Sequence, residues 1–219
     1  IRDYGMETHL LCLLIIIYLY IKSSELNQNR NHSIAKIAVI VLIFLARIDF
    51  LFTVIPIMLI GDFLTGTEDS VRKRFLRNSI LILITASSVY FGINFYYFGE
   101  FISIASKIKS SVPEIIFMKN FNDLFAPGTF TNQFIKSFYV FSITSLFSIL
   151  ILFKKFRDRF QRIDYFLFSI CLSALIFIIF NLCFNWHTLK EWYVAFPTFI
   201  SSLLLIRLII QYPKIYYFS

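Results

Sequence analysis

The feature that most restricts this sequence is a series of apolar runs, each close to the length that crosses a bilayer. They lie at about Thr8–Ile21, Ser79–Phe98, Ser137–Phe153, Tyr165–Phe184 and Trp192–Gln211, with a longer, interrupted run at Ile34–Ile60. A helix needs about 20 residues to cross ~30 Å of hydrocarbon. Backbone polar groups find no water there, so such runs predict helices. Composition agrees, with 58% apolar and 16% charged residues, against about 25% charged in soluble domains. That little polar surface cannot coat a soluble core. The predicted class is all-α: a polytopic transmembrane helical bundle, one domain over residues 1–219. The sequence starts at Ile1 and shows no signal-peptide pattern. The expectation is a fragment that lacks N-terminal spans.

The Ile34–Ile60 run decides the topology. Arg47 and Asp49 interrupt it at its centre, and Pro56 follows. Charges deep in a bilayer cost several kcal/mol each and usually line a polar cavity. Each half has about 12 residues, or ~18 Å of helix, too short to cross comfortably. This predicts a short broken or re-entrant helical hairpin in place of one long span. The positive-inside rule favours the same choice. With a hairpin, the basic loops Lys22–Lys36, Asp62–Arg77 and Lys154–Arg162 share one face, read as cytoplasmic. With a single span, Arg72, Lys73, Arg74 and Arg77 would change sides and the asymmetry would collapse.

The net charge of +8 is explained by these flanks, so nucleic acid is not an expected partner. Cys12, Cys171 and Cys183 lie inside apolar runs. They form no zinc motif, and buried thiols of this kind behave as small apolar residues.

The hairpin places four segments on the opposite, external face: Ile1–Glu7, the Arg47–Asp49 tip, Gly99–Gln133 and Asn185–Glu191. Glu7 stands before the first span, either as a helix-start carboxylate or as a pocket wall. His9 is a lone, weak ligand candidate. Arg47-Ile48-Asp49 is the sharpest local signal. Either the backbone turns there and the two side chains pair, or each has another partner. They are either a structural bridge that pins the hairpin, or an Arg that holds phosphate and an Asp that positions a hydroxyl or a metal. The segment Phe98–Ser111 suits an interfacial helix, with Lys107 and Lys109 near its end. Those lysines either snorkel to lipid headgroups or seat a lipid-linked phosphate. Trp186, Trp192 and Tyr193 are interface anchors, and His187, Lys190 and Glu191 stand where a pocket mouth would be.

The order of these motifs resembles bacterial multispanning glycosyltransferases of the GT-C superfamily, and within it the arabinofuranosyltransferase-like branch. The resemblance rests on Gly5-Met6-Glu7-Thr8 before a span, Ala46-Arg47-Ile48-Asp49 in a broken hairpin, and Tyr97-Phe98-Gly99-Glu100. It continues through Ile104, the stretch Lys107-Ile108-Lys109-Ser110-Ser111, Trp192-Tyr193 and Pro197. It covers nearly all of the chain, and motif order is its stronger part. The resemblance implies inverting transfer of a sugar from a polyprenyl-phosphate donor to an external glycan, lipid or protein acceptor at a bacterial cytoplasmic (inner) membrane. It implies an essential acidic residue in an early external loop upstream of Ile1. Glu7, Arg47, Asp49 and His187 are then pocket candidates, and Lys107 and Lys109 donor-phosphate candidates. No cofactor is evident. A divalent metal is compatible with the superfamily, but no ligand set for one is visible. A lipid-linked glycan polymerase, a flippase or another transporter is the alternative. It would spread charges through several helices, with repeated halves, and the sequence shows no internal repeat.

Overall fold

The computed structural model describes residues 6–28, 32–66, 68–101, 114–115, 130–153, 157–158, 160–184 and 191–211. Among these there are seven α-helices and no strand. They are α1 (Met6–Gln28), α2 (Ser33–Ala46), α3 (Val54–Thr65), α4 (Asp69–Phe98), α5 (Phe130–Leu152), α6 (Arg162–Phe184) and α7 (Glu191–Gln211), with a 3-10 turn at Ile48–Leu51 between α2 and α3. Five of them, all but α2 and α3, are long and apolar enough to cross a membrane. The chain is an all-α bundle suited to a lipid bilayer, and its isoleucine, leucine and phenylalanine side chains cover much of the outer surface.

The interrupted run is a hairpin. Arg47 is extended (φ −156°, ψ 105°) and stops α2, and the 3-10 turn reverses the chain into α3. The Thr53 hydroxyl closes the turn on the Asp49 carbonyl at 2.9 Å. The legs have 14 and 12 residues, or ~21 and ~18 Å. Phe50 is fully buried at the tip against Phe177 of α6 and Phe196 of α7. Phe177 lies 15 residues into α6, so the tip reaches ~22 Å along that helix and stops short of its end.

Helix ends sort into two levels. Here α1 ends, α2 starts, α3 ends, and α4 and α6 start at one level, the basic end. The hairpin tip and the starts of α1 and α7 point the other way. Antiparallel α6 and α7 are joined from Asp164–Arg207 through Cys171–Ile200 to Phe177–Tyr193. A further stack at the basic end sets Phe147 of α5 on Phe160 and Phe168. In lipid the apolar effect does not draw helices together, so close packing and polar contacts must.

Helix boundaries differ from the sequence reading at the basic end. The sequence ends the first run at Ile21 and puts Lys22, Lys36 and Asp62 in loops. In the structure α1 continues to Gln28, and all three residues lie inside helices and are buried. The long apolar span at Ser79 likewise begins ten residues earlier, at Asp69, with Arg72, Lys73, Arg74 and Arg77 already helical. Thirty residues make ~45 Å of helix, more than ~30 Å of hydrocarbon requires, which leaves the charged turns at the bilayer edge.

Candidate functional site

Two polar centres sit at opposite ends of the hairpin. At the tip, the backbone turn brings Arg47 and Asp49 together as a pair. Arg47 Nε donates to both Asp49 oxygens at 3.0 and 3.2 Å, and Nη2 donates to Oδ2 at 3.1 Å. The guanidinium also lies over three rings, Phe50 at 5.8 Å, Phe177 at 5.0 Å and Tyr193 at 4.7 Å. Such stacking suits a planar, weakly hydrated cation. The pair is half-buried, with side chains 12% and 26% exposed. Asp49 therefore keeps an open edge toward the tip end. The bonds described leave Arg47 Nη1 without a protein acceptor among the described residues. A fixed cation with a spare donor beside an accessible carboxylate can hold an anionic oxygen and a hydroxyl side by side.

At the base, charged groups from three helices converge. Asp62 of α3 accepts from the Tyr18 hydroxyl at 2.6 Å, from Lys22 Nζ at 3.0 Å and from Lys36 Nζ at 3.0 and 3.2 Å. Lys22 also reaches the Asp62 carbonyl at 3.3 Å, and Lys36 pairs with Glu25 at 2.6 Å. Lys22 is 0% exposed, Lys36 1%, Asp62 2% and Glu25 7%. Two ammonium groups face two carboxylates, so the cluster is neutral as a unit. Phe166 and Phe75 lie beneath the two ammonium groups, at 5.7 and 4.0 Å. A cavity of about 10 Å³ touches Glu25, Lys36 and Asp62 and is walled by Glu68 and Arg72. That is room for roughly one water. Among the described residues the base is thus a packed ionic joint with no room for an organic substrate.

A third pair ties the first turn of α6 to Arg207, one turn before the end of α7. Asp164, fully buried, accepts from Arg207 Nε at 2.8 Å and from the Gln161 backbone N–H at 2.7 Å. The second bond is the return half of a capping box.

Arg47 and Asp49 are together. Glu7 is in the first turn of α1 and exposed, on the tip side of the Tyr18–Asp62 contact. His9 is exposed one turn-half further on. Lys107, Lys109 and His187 lie outside the described residues. Among the described residues no group of three or more His, Cys, Asp or Glu converges as a metal site.

Sequence reasoning missed the base cluster, although a signal was present. Leu11, Ile15, Tyr18, Lys22 and Glu25 follow one another at steps of four and three, and all are buried. The core stripe of α1 therefore runs straight through two charges. Ile55, Met58, Asp62 and Thr65 repeat the pattern on α3, and Lys36, Ile40 and Phe44 on α2. Charges in phase with a core stripe are core residues.

No protein-family model, curated protein or solved structure matches this chain.

Proposed function

We propose that this chain is part of a multi-pass glycosyltransferase of a bacterial cytoplasmic membrane. It would move a sugar from a polyprenyl-phosphate donor to an extracytoplasmic glycan, lipid or protein acceptor. The observation that carries this reading is the half-buried Arg47–Asp49 pair. It stands on a sunken hairpin tip, among aromatic rings, and among the described residues Nη1 of Arg47 has no acceptor. The reading is also supported by the motif order described above. On the positive-inside reading of the charge asymmetry, the basic end would be cytoplasmic and the tip would face outward.

The chemistry is one displacement. The acceptor hydroxyl attacks the anomeric carbon, the bond from that carbon to the phosphate oxygen breaks, and polyprenyl phosphate departs. A base takes the hydroxyl proton. Arg47 would hold the phosphate as charge builds on it, with Lys107 and Lys109 as further cations. Asp49, Glu7 and His187 would orient the sugar and acceptor. The base itself is assigned to none of these residues.

The test is release of labelled polyprenyl phosphate, and transfer of labelled sugar, by the full-length protein in liposomes. Arg47→Ala should lower transfer about 10²-fold, the usual cost of removing one preorganised donor. Arg47→Lys should recover little, because an ammonium cannot make the forked contact. Unchanged transfer in Arg47→Ala and Asp49→Ala would remove the tip from the site. Chelation in the same assay reads any dependence on a divalent metal.

A second reading, a flippase or other transporter, is favoured by one observation, the buried charges shared among α1, α2 and α3. A transporter would move the lipid-linked sugar across the bilayer and leave its phosphate bond intact, which the same assay distinguishes.

A further inference from the structure

The hairpin legs are joined covalently at the tip, but they lean on different neighbours. Leg α2 packs on α1 and α4, whereas α3 packs chiefly on α6. At the open end, the direct link described between the legs is Lys36 to Asp62. Helix α1 reinforces it from one face. Lys22 grips α3 through Asp62, and Glu25, one turn on, grips α2 through Lys36. Tyr18 adds a second hold on Asp62 and stacks on Phe166 of α6 at 5.6 Å.

From this geometry we infer that the Tyr18–Lys22–Glu25 face of α1, with Lys36 and Asp62, is an ionic clamp that sets the opening of the re-entrant hairpin and so the seat of its tip. Buried ion pairs are weak sources of net stability against apolar replacements. Their best-attested use is to choose one arrangement among several. Here the choice is geometric. Each charge on α1 has its partner on a different leg, so both contacts hold at one leg separation only. The legs are short and helical, and a change at their base is carried to Arg47 and Asp49. The tip has a second anchor in the Phe50 plug against Phe177 and Phe196. With the clamp gone, the legs would pivot about that plug. The inference concerns hairpin geometry and stands apart from the proposed sugar transfer.

The test measures distances, not activity. In the full chain with Cys12, Cys171 and Cys183 replaced by alanine, spin labels go on exposed sites. One pair, Ile34 and Leu64, reads the base of the two legs. A second pair, Phe52 and Ile206, reads the tip against α7. Asp62→Asn leaves two buried ammonium groups without their shared negative charge and tests folding as much as geometry. The deciding variant is therefore Glu25→Gln with Lys36→Met. It removes one charge of each sign and leaves Lys22, Tyr18 and Asp62 paired. In the folded double variant, the Ile34–Leu64 distribution should gain a longer population, with a matching change at Phe52–Ile206. Asp69→Asn, which alters an exposed pair on α4, should leave both distributions as they are. Unchanged distributions in the double variant would overturn the clamp.

Discussion

Asp62 accepts from Tyr18, Lys22 and Lys36 at once, so it bears more than any other single side chain of the base cluster. Asp62→Ala leaves two buried ammonium groups facing each other. Removing one partner of a buried ionic group costs about 3–5 kcal/mol. Tyr18→Phe removes one hydrogen bond to a charged acceptor and should cost about 1.5–3 kcal/mol. Reversible unfolding in mixed micelles, titrated with denaturing detergent, should rank the variants in that order. If Asp62→Ala proved no worse than Tyr18→Phe, the cluster would be more hydrated than its burial implies. The contrast with Arg47 is instructive. That cation is stacked on aromatic faces and only half-buried, so its loss should fall on function before stability.

At the scale of the element, α3 meets α6 through a small residue. A Cβ at Gly61 would overlap the Ser169 side chain, both Oγ and Cβ. Close approach of this kind is how helices gain packing in lipid. It also sets Asp62, the next residue, at the level of Phe166. Gly61→Ala should destabilise by about 1–3 kcal/mol through overpacking, and Ser169→Gly in the same chain should recover most of the loss. Absence of recovery would mean that the strain lies elsewhere in α3. The same elements show what could be read in advance. Two charges at the centre of the Ile34–Ile60 run could not be paid for in a single span, so the break was legible. Lys22, Lys36 and Asp62 were not, because each sits where an apolar run ends and a charge there usually marks solvent. What distinguishes them is phase along the core stripe, and phase needs the helix to be drawn past the end of the run. The tip residues were legible as a pair, as was Phe50 beside them, whereas the other two rings around Arg47, Phe177 and Tyr193, come from α6 and α7, far outside the window of about 11–18 residues in which local pattern is read.

For the whole molecule, the hairpin fixes the sidedness of everything after it. Gln28 ends α1, Glu68 precedes α4, and Phe101 follows α4. If α2 and α3 turn back within the bilayer, Gln28 and Glu68 lie on one face and Phe101 on the other. If residues 33–65 formed one straight span, Gln28 and Glu68 would lie on opposite faces. Single cysteines at these exposed positions, in a chain without the three native ones, separate the two cases with a membrane-impermeant thiol reagent. Cysteines at positions 28 and 68 should be labelled together, and the one at 101 only from the other side. By the positive-inside rule, the expected outcome is labelling of the first two from the cytoplasmic side, because Arg72, Lys73, Arg74 and Arg77 stand beside Glu68. Opposite labelling of 28 and 68 would dismantle the hairpin, and with it the common end at which Lys22, Lys36 and Asp62 meet. Labelling of both from outside would keep the hairpin but turn the tip, and the Arg47–Asp49 pair, toward the cytoplasm. That result would withdraw the external acceptor from the proposed function while leaving the ionic clamp intact.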